Sequence, residues 1–155
     1  MKTSYEIYPV GCVRRKDDKV YLEIKEKFRP ALYELQHFSH IQVLWWCHSF
    51  DAKKFREMTQ FDPPFEAPRL GIFASRAPMR PNPIAISTVK VKQIDLERGL
   101  VEICKIDAYD DTPVIDLKGY IPFYSRIKSP QLPSWASGWP QWMPDEGIEV
   151  DEKPS

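Results

Sequence analysis

Apolar and polar residues alternate over short stretches through most of this chain, and runs of helical periodicity are few. Val20, Leu22 and Ile24 alternate with Tyr21 and Glu23, and a polar run, Arg14-Arg15-Lys16-Asp17-Asp18-Lys19, separates them from the apolar residues before it. A strand with one buried face shows a period of two, so this pattern predicts a hairpin with strands at 7–13 and 20–24 and a charged turn between. From Pro30 the spacing changes. Ala31, Leu32 and Leu35 share a helical stripe, and proline suits a first turn, which predicts a short helix before His37. Residues 38–48 are aromatic and β-branched with few polar interruptions, the composition of a central strand buried on both faces. A short helix is predicted over 51–59, capped by Asp51, before Pro63, Pro64 and Pro68 break regular structure.

In the second half, residues 71–75 and 84–94 read as strands joined by a proline-rich segment. Along the latter strand the apolar positions run Ile84, Ile86, then Val89, Val91, a parity change that predicts a β-bulge near Ser87 and Thr88. Leu96-Glu97-Arg98-Gly99 is a turn, residues 100–106 form its partner strand, and 114–117 a further short strand. Strands that follow one another through turns, with only short helical pieces, predict a mainly β single domain built as a small antiparallel β-barrel. No G-x-G-x-x-G follows a strand, so the dinucleotide-fold fingerprint is absent. The tryptophans and prolines between Pro130 and Pro144 predict an arm laid over an apolar surface, closing a domain of residues 1–144; the acidic residues 145–155 are expected to fray.

Composition narrows the class. At 155 residues, 43% hydrophobic and 28% charged, the chain suits one soluble domain, with no apolar run long enough for a bilayer. The first residues, MKTSYEIYPVGC, do not form a secretory signal, so a cytoplasmic address is expected. Cys12, Cys47 and Cys104 are odd in number and widely spaced, which fits reduced core thiols and implies no metal. A net charge of +0 excludes a broad positive field. Any RNA contact has to come from a local patch such as the basic residues Arg14, Arg15, Lys16, Lys19, Lys25, Lys27 and Arg29.

Chemistry concentrates in two loops. Arg76-Ala77-Pro78-Met79-Arg80-Pro81-Asn82-Pro83 sets two arginines and an asparagine in a backbone that three prolines restrict, so little freedom remains to lose on binding. A guanidinium offers a planar fork for a carboxylate or phosphate. The same loop could serve as a rigid connector. Asp110-Asp111-Thr112-Pro113 offers carboxylates, a hydroxyl and backbone groups that could bind a ribose, a base edge or an amine, or could satisfy their own turn. Asp116 and Lys118 alternate with Ile115 and Leu117 and could face a site or form a surface ion pair. His40 and His48, eight positions apart, would share a strand face if the strand were unbroken. Trp45 and Trp46 fit core or dimer packing better than base stacking.

Residues 71–87, GIFASRAPMRPNPIAIS, are similar to the signature of the TsaA-like family, which includes the TrmO-type tRNA methyltransferases. Phe38-Ser39-His40-Ile41 with Trp46-Cys47-His48, and Asp110 through Tyr120, resemble two further family segments in order and spacing. The resemblance implies a β-barrel homodimer that uses S-adenosyl-L-methionine to methylate N6 of threonylcarbamoyladenosine beside the tRNA anticodon. It makes Arg76, Arg80, Asn82, Ile86, His48, Asp110, Asp111, Thr112 and Pro113 the candidate cofactor-binding residues. Lys118, Tyr120, Arg14 and Arg15 are the substrate-binding candidates. Asp110 and Asp116 are the candidate base or polarising groups. Three positions depart from the pattern: Asp111 and Ala85 stand where glycine is common, and Gly119 where proline is. An aspartate tolerates a left-handed backbone, which lets the turn at Asp111 survive with an added charge. The competing classes are a barrel that binds S-adenosyl-L-methionine or RNA without turnover, and a methyltransferase for a small molecule.

Overall fold

A computed structural model describes residues 1–151. Six strands close an antiparallel barrel in the order β1-β2-β7-β6-β3-β8: β1 is Gly11–Lys16, β2 Lys19–Ile24, β3 His40–Trp46, β6 Ile84–Asp95, β7 Leu100–Ile103 and β8 Pro113–Gly119. Closure comes from β8 against β1, through Gly11 opposite Val114 and Cys12 opposite Pro113. A side ribbon pairs β4, Gln60–Phe61, with β5, Leu70–Gly71. The barrel and the antiparallel pairing agree with the sequence reading.

The core is made by the inward residue of each alternation. Val13, Leu22, Ile41, Val43, Val101 and Val114 are fully buried, each contributing roughly 1.5–3 kcal/mol relative to exposure. Close approach of β1 and β2 makes Gly11 obligatory, because a Cβ there would lie 2.1 Å from the Glu23 carbonyl oxygen.

Several elements differ from expectation for local reasons. The first hairpin runs to Lys16 and turns on Asp17 and Asp18 alone, at φ 52° and 59°, the paired positive φ of a type I′ turn. Arg14 and Arg15 are therefore strand residues. The helical segment around Pro30 begins earlier, as a 3-10 turn over Glu26–Leu32 followed by another over Leu35–His37. Strand β3 has Ile41 and Val43 buried and their neighbours half-buried, so only one face is fully covered. The helix predicted over 51–59 shrinks to α1, Lys53–Arg56, with Ala52 at its N-cap. Asp51 instead accepts from Arg56 and from the Trp46 indole. Beyond Gly71 the predicted strand gives way to a 3-10 turn at Ile72–Ala74, closed by the Ser75 amide and hydroxyl on the Ile72 carbonyl.

In β6 the register with β3 is unbroken from Trp46 opposite Ile84 to His40 opposite Lys90. The irregularity lies further on, between Val91 and Gln93. The parity change at Ser87 is a change of face: Ser87 and Val89 are buried, whereas Ile84 and Ile86 are exposed on the outside.

The predicted frayed tail is placed against the barrel as far as Asp151. Asp145 pairs with Lys90 at 2.5 Å and accepts from His40, Gly147 is buried, and Glu149 pairs with Arg15 at 2.8 Å. Residues 152–155 of that tail lie outside the described residues. Among the described residues no helix is long and apolar enough to cross a membrane.

Candidate cofactor cleft

An open cleft of about 1190 Å³ lies where the end of β3 meets the start of β6. Its floor is the outward face of the two strands, with Gln42 opposite Thr88 and with Ile84 and Ile86 beyond them. One side is the loop carrying Phe73, Ser75, Arg76, Pro78, Arg80 and Asn82, together with His48 and Phe50. At the barrel rim stand Trp45, Asp107 and Thr112, and the chain returns over the opening with Met143, Ile148, Glu149, Val150 and Asp151.

The two arginines of the loop have different surroundings. Arg80 is turned onto its own backbone, donating to the carbonyls of Ser75 at 3.3 Å, Ala77 at 3.1 Å and Ile72 at 3.5 Å. Arg76 is exposed in the cleft and makes no hydrogen bond or ion pair with the described residues. The first stiffens the loop; the second leaves a guanidinium for a ligand anion. Asn82 accepts from Arg56 at 3.4 Å, and Arg56 also donates to the Pro81 carbonyl, pairs with Asp51 and stacks on Trp46. Arg56, absent from the sequence candidates, thus bolts α1 to this loop.

Of the predicted cofactor residues, Arg76, Arg80, Asn82, Ile86, His48 and Thr112 are brought together in the cleft. Asp110, Asp111 and Pro113 are beside it but do not line it. Asp110 accepts the Arg15 amide at 2.8 Å, and Asp111, at φ 66°, pairs with Arg14. Asp116 pairs with Lys118 at 2.8 Å and accepts its following amide, so the two form a surface ion pair. Neither Asp110 nor Asp116 reaches the cleft. Lys118 and Tyr120 also lie outside it, as does His40, because β3 ends at Trp46 and His48 begins a separate 3-10 turn. Arg14 is committed to Glu23 and Asp111; Arg15 donates to the carbonyls of Ile106 and Ala108.

Cys47 lines the cleft, and burial pushes its thiol up to about 11, against a smaller lowering by Arg80. It is a neutral thiol at physiological pH and a poor nucleophile. Asp107 is among the cleft residues the sequence reading missed, with Phe50, Phe73 and Ile84; an isolated aspartate just after the last apolar position of that stretch gives no signal of a rim position. Among the described residues no group of three His, Cys, Asp or Glu could hold a metal ion.

The cleft fits an S-adenosyl-L-methionine-sized ligand by its donor set. Apolar walls from Phe50, Phe73, Ile84 and Ile86 suit an adenine ring, while Arg76 and Asp107 offer opposite charges to an amino-acid group. The molecule is thus a closed antiparallel barrel with an open cleft at its rim. Residues 3–126 match the tRNA-methyltransferase O N-terminal domain, and the chain belongs to that family. It is 38% identical over 130 residues to a "Probable S-adenosyl-L-methionine-binding protein" of Methanocaldococcus jannaschii, covering 83% of this chain and 99% of the relative. It is 28% identical to the tRNA (adenine(37)-N6)-methyltransferase of Escherichia coli, over 90% of this chain and 58% of that enzyme. The crystal structure of TrmO from Pseudomonas aeruginosa superposes with a TM-score of 0.64 at 25% identity, covering 83% of this chain. The chain spans 62% of that structure's length.

Proposed function

We propose that this protein is an S-adenosyl-L-methionine-dependent methyltransferase that methylates N6 of threonylcarbamoyladenosine beside the tRNA anticodon. The family match supports the tRNA substrate, and the observation that supports the cofactor site is the unpaired Arg76 guanidinium on a loop stiffened by Arg80, in a cleft with apolar walls. Bound there, the cofactor supplies an activated methyl group; the protein supplies orientation and electrostatics. Arg76 binds the ligand carboxylate, Ile84 and Ile86 exclude water from one flank, and Arg80 lowers the ordering entropy that the loop loses on binding. The chain works in the cytoplasm as a homodimer, a state that light scattering after gel filtration tests.

Incubation with labelled S-adenosyl-L-methionine and total tRNA tests the activity. Label in tRNA supports it. Tight cofactor binding without transfer points to a binding module, and transfer confined to small metabolites to a different methyltransferase.

A further inference from the structure

We infer that Asp107 is the residue that binds the α-ammonium group of the cofactor, in the cleft that also holds Arg76; the inference rests on the proposed cofactor reading. Asp107 lines the cleft at the barrel rim, and its carboxylate is held from behind. The Trp45 indole donates to the Ser87 hydroxyl at 2.9 Å, and Ser87 donates to Asp107 Oδ1 at 2.5 Å. Because Ser87 has one proton and its oxygen already accepts from Trp45, that proton goes to Asp107. Oδ2 accepts no hydrogen bond from the described residues. One oxygen is thus anchored and the other is left to a ligand.

The backbone is anchored as well. Arg15 donates to the carbonyls of Ile106 at 2.8 Å and Ala108 at 2.7 Å, the two neighbours of Asp107 in the chain. Asp107 and Arg76 both line this cleft. A pre-placed carboxylate and a guanidinium in one cleft are complementary to an α-amino acid, and an anchored group loses little freedom on binding. Glu149, another carboxylate of the cleft, is already paired with Arg15. Ser87 acts through Asp107 and is a positioning residue.

Calorimetry on the full chain with three probes tests the assignment: S-adenosylmethionine, S-adenosylhomocysteine, which keeps the amino-acid group without the sulfonium charge, and methylthioadenosine, which lacks the amino-acid group. Asp107→Asn is expected to weaken S-adenosylhomocysteine by about 10- to 100-fold and to leave methylthioadenosine unchanged. Ser87→Ala is expected to shift the same ratio in the same direction by a smaller factor. Unchanged S-adenosylhomocysteine affinity in Asp107→Asn, with the parent protein binding normally, overturns the assignment while sparing the cofactor reading. So does a loss confined to S-adenosylmethionine, which would place the carboxylate at the sulfonium, or an equal loss for all three probes. Failure of the parent protein to bind any of them removes the cofactor reading itself.

Discussion

Arg80 donates to the carbonyl of Ala77 at 3.1 Å, within the loop that also carries Arg76. The two arginines of one loop therefore do different work, and their substitutions separate. Arg76→Ala is expected to leave thermal stability unchanged and to weaken S-adenosylhomocysteine by about 10- to 100-fold, the loss of one charge-assisted pair. Arg80→Ala is expected to cost about 1–2 kcal/mol of stability, because the carbonyls of Ile72, Ser75 and Ala77 lose their donor. Equal effects of the two on melting temperature would contradict this division.

Gly119 lies against the Phe38 ring, so that a Cβ at this position would come within 2.6 Å of the nearest ring carbon. The ring occupies the space that a side chain at this position would need. Gly119→Ala is expected to destabilise the barrel by about 1–3 kcal/mol through overpacking. Chemical denaturation measures it, and a neutral result would mean that the ring moves freely.

The barrel is legible in the sequence because its signal is periodic. Val20, Leu22 and Ile24 alternate as a half-buried strand must, and they do face the core. Misreadings arise where one side chain can serve either of two surroundings. Ile84 and Ile86 are apolar yet exposed, since they floor the open cleft, so their parity mimics a bulge. Asp51 looks like a cap but ties Trp46 to Arg56. The loop motif shows which residues gather at the cleft. It does not show that Arg80 and Arg15 commit their donors to backbone carbonyls, because such bonds depend on how the chain folds back on itself.

The returning tail is expected to respond to acid. The hydrogen bond from Lys90, and then the charges of Lys90 and His40, hold the Asp145 carboxyl below its ordinary value of 3.8. A depressed folded value means the anchoring is present above the ordinary value and is lost as pH falls through the folded one. The amide resonance of Gly147, beside this anchor, is expected to titrate with a midpoint below 3.8. A midpoint at or above that value would contradict the anchoring.

Cys47 gives a second pH signature. With its thiol pushed up to about 11, site-resolved alkylation is expected to stay slow through neutral pH and rise toward that value. The folded value is raised above the ordinary 9.0, so the associated stability is intact below 9.0 and is lost as pH rises toward about 11. Half-maximal reactivity at or below 9.0 would show the thiol to be solvated.

The most direct measurement of the proposed activity is mass spectrometry of nucleosides from tRNA carrying threonylcarbamoyladenosine, after incubation with the purified chain and S-adenosyl-L-methionine. The prediction is one added methyl group on that nucleoside, lost in Arg76→Ala. Unmodified threonylcarbamoyladenosine, from protein shown in the same sample to bind the cofactor, would contradict it.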